Sequence, residues 1–85
     1  MRVFIPSALR SYTGGKTVAD ASGKTVAELL EDLDRHYPGI RFRMVNEQDM
    51  IRPHLRVFVN GQVAEPGTPV KESDEVNIVM ALSGG

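Results

Sequence analysis

The stretch Glu75–Gly85, EVNIVMALSGG, decides the reading of this chain. From Val76 onward it alternates, with Val76, Ile78 and Met80 on one side of an extended backbone and Asn77, Val79 and Ala81 on the other. That is the two-residue period of a β-strand buried on one face. The strand then gives way to Leu82, Ser83 and the pair Gly84-Gly85. Glycine is costly to order and is placed where the backbone needs room. A glycine pair directly after a core strand is either a frayed end or an arm with a task.

Working outward, Leu55, Val57 and Val59 alternate with Arg56 and Phe58, and Asn60-Gly61 follows as a two-residue hairpin signal, so a short partner strand is expected around Val63. At the other end, Met1–Ile5 (MRVFI) alternates as a first strand. Pro6 and the polar stretch Ser7–Gly15 (SALRSYTGG) read as a long loop closing on a Gly-Gly turn, with Lys16–Ala21 returning as a second, antiparallel strand. Thr25 and Glu28 have the spacing of a capping box, in which each side chain satisfies an unpaired backbone donor at a helix start. Val26, Leu29, Leu30, Leu33 and Tyr37 then form one helical stripe, which Pro38-Gly39 stops. Ile40–Pro53 shows no sustained period and reads as an irregular crossover. The order is strand, strand, helix, strand, short strand, strand. Laying the one helix across one face of a mixed sheet buries the apolar faces of both, which is an α+β architecture.

Composition bounds the function. With 85 residues the chain holds one small core. Ten Lys and Arg against eleven Asp and Glu leave no basic footprint for nucleic acid. No apolar stretch is long enough to span a membrane, and Met1 leads straight into a strand-like segment instead of a signal peptide, so a cytoplasmic protein is expected. Without cysteine there is no thiolate nucleophile or disulfide framework. His36 and His54 lack partners at metal-ligand spacing, and Ser7, Ser11 and Ser83 lack a base, so neither a metal site nor catalysis is expected. Arg35, Arg41, Arg43, Arg52 and Arg56 bias the middle of the chain positive, either as a solvated face or as a means of steering an acidic partner.

Strand parity points to a contact surface. If Val3, Ile5, Val57, Val59, Val76 and Ile78 face the helix, then Phe4, Phe58, Val79 and Ala81 project from the opposite side of the sheet. Two of the three phenylalanines would then be exposed, rimmed by Arg2 and Arg56. Aromatic residues and arginine are enriched in protein-binding surfaces. The alternative is that Ile40–Pro53 folds over this face and covers it.

Element order and ending together resemble the MoaD/ThiS family of ubiquitin-like, β-grasp sulfur carrier proteins. The resemblance spans essentially the whole chain and rests on MRVFIPSALRSYTGG at the start, the helix followed by YPGI, IRPHLRVFVNG from Ile51 to Gly61, and the VNIVMALSGG ending. Ile51–Gly61 and the Ser7–Gly15 loop are most similar to the CysO-like branch. The resemblance implies a β-grasp domain over residues 1–81 and a flexible Gly-Gly tail at 82–85. It also implies that a ubiquitin-activating-type enzyme uses ATP to adenylate Gly85, after which a sulfur donor converts the terminus to a thiocarboxylate. A carboxylate is a poor electrophile at neutral pH until it is activated in this way. Gly84 and Gly85, lacking Cβ atoms, suit a narrow channel, and Leu82–Gly85 fully extended reaches roughly 13 to 14 Å.

No cofactor is expected on the chain itself, since ATP and Mg²⁺ are used by the activating partner. The docking residues implied are Phe4, Phe58, Val79, Ala81, Leu82 and Ser83. Three functions follow: a sulfur carrier feeding cysteine or another sulfur metabolite ahead of molybdopterin or thiamin, a protein modifier joined to lysines through Gly85, and a binding module with an inert tail.

Overall fold

A computed structural model describes residues 1–80. The expectations placed on Ala81, Leu82, Ser83, Gly84 and Gly85, the tail at 82–85 included, therefore lie outside the described residues. Five strands, β1 (Arg2–Phe4), β2 (Val18–Asp20), β3 (Leu55–Val59), β4 (Gln62–Ala64) and β5 (Glu75–Met80), form one sheet in the order β2-β1-β5-β3-β4. β5 is central, parallel to β1 and antiparallel to β3. The sheet is mixed, as the element order implied.

The helix α1 (Val26–His36) buries Val26, Leu29, Leu30 and Leu33 on one stripe, against Val3, Val57, Val76 and Ile78 of the sheet. Its start follows the capping logic of the sequence: the backbone N–H of Glu28 donates to Thr25 Oγ1 at 3.2 Å. The return bond lands one residue earlier than in an ideal box, with Glu28 Oε1 accepting from the N–H of Lys24 at 3.0 Å. Gly23 lies so close to the first turn of α1 that a Cβ there would sit 2.6 Å from the nitrogen of Leu29. The stripe ends where expected, Tyr37 serving as C-cap and Gly39 turning the chain at φ +97°.

Two segments depart from the sequence reading. Ser7–Thr13 is a 3-10 helix, not a loop. Pro6 starts it, accepting from the N–H of Leu9 at 2.9 Å, and Gly14 ends it in the left-handed region at φ +66°. What holds it is burial of Leu9 and Thr13, the latter with its hydroxyl within reach of the carbonyls of Arg10 and Lys16. The second departure is α2 (Ile40–Met44), a one-turn helix inside the stretch read as irregular, which buries Ile40 and Met44. A Val45–Ile51 bridge closes the loop after it. α2 packs against α1 and the 3-10 helix, on the helical side of the sheet. It leaves the opposite face of the sheet uncovered. The second strand is also shorter than the Lys16–Ala21 expected.

Candidate docking face and tail root

Register assembles the outer face of the sheet strand by strand. Phe4 pairs with Val18 on β2 and with Asn77 on β5, Phe58 pairs with the same Asn77, and Val63 on β4 pairs with Phe58. The two phenylalanines therefore flank one residue of the central strand. One step further along, Arg56 stands opposite Val79. Residues paired across strands point to the same side, so Phe4, Phe58, Val63 and Val79 share a surface that no helix covers.

Parity placed Phe4, Phe58 and Val79 on the correct side and Val79 is exposed as expected, but the two phenylalanines are not. Phe4 and Phe58 are half-buried, whereas Val63 is 66% and Val79 44% exposed. The phenylalanine left in the open is Phe42 on α2, 62% exposed. Arg2 does border the face: its guanidinium lies 5.2 Å from the Phe4 ring centroid, a cation–π distance, and 3.5 Å from Glu75. Arg56 borders it further along, opposite Val79, with its guanidinium donating to the carbonyls of Pro53 and Leu55. Val59, expected toward the helix, is half-buried and packs at the margin of the core.

At one end of β5 the chain is fixed by a polar knot. Asn60 and Gly61 both have positive φ, 51° and 84°, as a type I′ hairpin turn requires. The Asn60 side chain then reaches across to β5, donating from Nδ2 to Asp74 Oδ1 at 2.8 Å and accepting from the N–H of Glu75 at 3.0 Å. Asp74, itself buried, also accepts from the N–H of Lys71 at 2.9 Å. The Lys71 backbone donor, then the Asn60 amide, hold the Asp74 carboxyl below its usual range against the opposing effect of burial.

At the other end, Met80 opens onto a cleft of about 440 Å³ between the 3-10 helix, α2 and the approach to β3. Tyr12, Phe42, Arg43, Arg52, His54 and Met80 line it. Sequence reading treated Arg43 and Arg52 as part of a charged run. The local signal it passed over is the RFR alternation at Arg41–Arg43, which puts an aromatic side chain between cations.

Among the described residues no cluster of His, Asp or Glu could hold a metal ion. No helix among them is long and apolar enough to cross a membrane.

Known proteins share this fold. The sulfur carrier protein CysO of Mycobacterium tuberculosis is 34% identical over 89 residues, covering 98% of this chain and 96% of the relative. The small archaeal modifier protein 1 of Haloferax volcanii is 29% identical over 79 residues, covering 91% of each. A chain of the crystal structure of the Amycolatopsis orientalis BexX/CysO complex superposes with a TM-score of 0.92 at 33% identity, over 99% of this chain and 98% of that one. The model of the ThiS family matches residues 3–85. The fold is thus the ubiquitin-like β-grasp, and the chain belongs to the ThiS family.

Proposed function

We propose that the protein is a sulfur carrier that presents Gly85 to an activating enzyme and delivers the resulting thiocarboxylate sulfur to the biosynthesis of cysteine or another sulfur metabolite. The observation that carries this reading is likeness to CysO along nearly the whole chain. The placement of β5 supports it, since the central strand of a packed sheet leads directly into residues 81–85.

Chemistry at the terminus runs in two steps. A Gly85 carboxylate oxygen attacks the α-phosphorus of ATP, forming the acyl-adenylate and releasing pyrophosphate. Hydrosulfide from a sulfur donor then attacks the activated carbonyl, AMP leaves, and the thiocarboxylate remains. ATP, Mg²⁺ and the groups that catalyse both steps belong to the partner. This chain contributes position: the outer face of Phe4, Phe58 and Val79, continued along Ala81, Leu82 and Ser83, docks the carrier, while Gly84 and Gly85 pass into the partner's active site.

The test is incubation of the full chain with ATP, the cognate activating enzyme and a sulfide source. Intact mass should shift by the replacement of one oxygen by sulfur, and deletion of Gly84 and Gly85 should abolish the shift while leaving the melting temperature unchanged. An unmodified mass with an enzyme shown to be active on its other carriers refutes the reading. A second reading, a modifier joined to lysines through Gly85, draws on the likeness to the small archaeal modifier protein 1. It shares the adenylation step and differs in product: isopeptide-linked adducts in cells support it, whereas consumption of the thiocarboxylate by a small-molecule acceptor supports the carrier.

A further inference from the structure

The cleft at the end of β5 brings two arginines together without a carboxylate, whereas Arg10 and Arg56, which also lack a carboxylate partner among the described residues, stand outside its lining. Arg2, Arg35 and Arg41 pair with Glu75, Asp32 and Asp49. Arg43 and Arg52 have no carboxylate partner among the described residues, and no acidic residue lines the cleft between them.

Each guanidinium is nevertheless held in place. Arg43 Nε donates to the Tyr12 hydroxyl at 2.8 Å, its guanidinium 6.0 Å from that ring's centroid. Arg52 Nε donates to the Phe42 carbonyl at 2.8 Å, and its guanidinium lies 4.9 Å from the Phe42 centroid. Both arginines spend Nε on an internal bond and keep their terminal nitrogens for something else. A guanidinium fixed in this way loses less entropy when it binds, and its two terminal nitrogens match a carboxylate. Phe42, exposed beside them, adds apolar surface of the kind that anchors a peptide.

We propose that this cleft docks an acidic peptide segment of the enzyme that takes up the tail. The inference rests on the carrier reading above for the identity of that enzyme. Two guanidiniums, each on its own aromatic support along an open cleft, suit a chain that carries carboxylates at more than one position. Met80 forms one wall of the cleft and is followed directly by residues 81–85. An enzyme that holds those residues brings its own surface over Arg43 and Arg52, so the cleft and the outer face of the sheet would be gripped from two sides of the same strand end.

The direct test is a titration of the full-length ¹⁵N-labelled protein with a ten-residue peptide of alternating glutamate and alanine, with its lysine counterpart and inorganic phosphate as parallel arms. The side-chain Nε–H signals of Arg43 and Arg52 should move saturably with the glutamate peptide, while those of Arg2 and Arg35 stay put. Loss of the accompanying backbone-amide shifts at Tyr12 and Phe42 in the Arg43→Gln/Arg52→Gln variant, checked for an unchanged melting temperature, would support the site. Shifts spread over all arginines, or reproduced by phosphate alone at equal concentration, overturn it. In the activation assay, Arg43→Glu/Arg52→Glu should raise the KM for the carrier at least tenfold with kcat unchanged and flatten its dependence on salt. An unchanged KM overturns the proposal and leaves the carrier reading standing. Absence of a thiocarboxylate on the wild-type chain overturns the carrier reading and with it the assignment of the partner.

Discussion

Asp74 shows how one side chain can couple a turn to a strand. Its carboxylate receives the N–H of Lys71 and the amide of Asn60, and Asn60 in turn holds the first residue of β5. Both donors favour the ionised form, so the native pKa lies below its ordinary value. The sign of the consequence follows. An unfolded chain takes up the proton near the usual value of about 3.9, the native state only at lower pH, so this contribution is complete above the unfolded value and is lost as pH falls from there through the lower native pKa. Asp32 acts in the same direction, held chiefly by the backbone N–H of Ser22 and then by Arg35. Asp74→Asn should therefore lower the melting temperature at neutral pH and flatten its decline on acidification, measured by circular dichroism between neutral and strongly acidic buffers. A variant whose acid limb runs parallel to the wild type would remove Asp74 from this account.

At the scale of elements, α1 and the central strand carry the stability. Leu30 is 1% and Ile78 3% exposed, and both belong to the single core between helix and sheet. Truncating either to alanine should cost about 2 to 5 kcal/mol, a large share of what a small domain has. A shift of only a degree or two in thermal unfolding would mean the interior is not packed as described. These elements were legible in the sequence because each is long enough to show its period: Val76, Ile78 and Met80 for β5, Leu29, Leu30 and Leu33 for α1. The 3-10 helix and α2 were not. α2 is only five residues long, too short to display a helical repeat, and its residues are ordered by burial of Ile40 and Met44 rather than by local propensity. The outer face was readable by parity, whereas the half-burial of Phe4 and Phe58 depends on which strands lie beside them. That order, with β5 between β1 and β3, is set by long-range pairing that no local pattern records. The arginine cleft was illegible for the same reason, since Tyr12, Phe42 and Arg52 meet only after folding.

On the scale of the whole molecule, the fold divides labour between two sides of one sheet. The helical side supplies cohesion, with Val3, Val57 and Val76 inaccessible beneath α1. Opposite them lies a surface with apolar side chains and no cover among the described residues, which cohesion alone does not require. If that surface exists to seat a partner, stability and activation must respond separately to changes there. Val79→Glu places a charge on a side chain that is 44% exposed, so it should cost no more than about 0.5 kcal/mol. Phe58→Glu loses half-buried ring contacts and should cost somewhat more, about 1 kcal/mol, still leaving a folded domain. Either change puts a charge in the middle of the proposed interface, where an anchor is worth about 2 kcal/mol or more, and activation of Gly85 at subsaturating enzyme should fall at least about tenfold. Gln62→Glu makes a useful control. It lies on β4 beside Val63 and pairs with Val59, so it sits on the helical side by parity and, being exposed, should change neither quantity. Unfolding by Val79→Glu would show that the outer face is part of the core after all. Activation of both variants at the wild-type rate would instead show that the partner reads the carrier only through its tail and the cleft beside Met80.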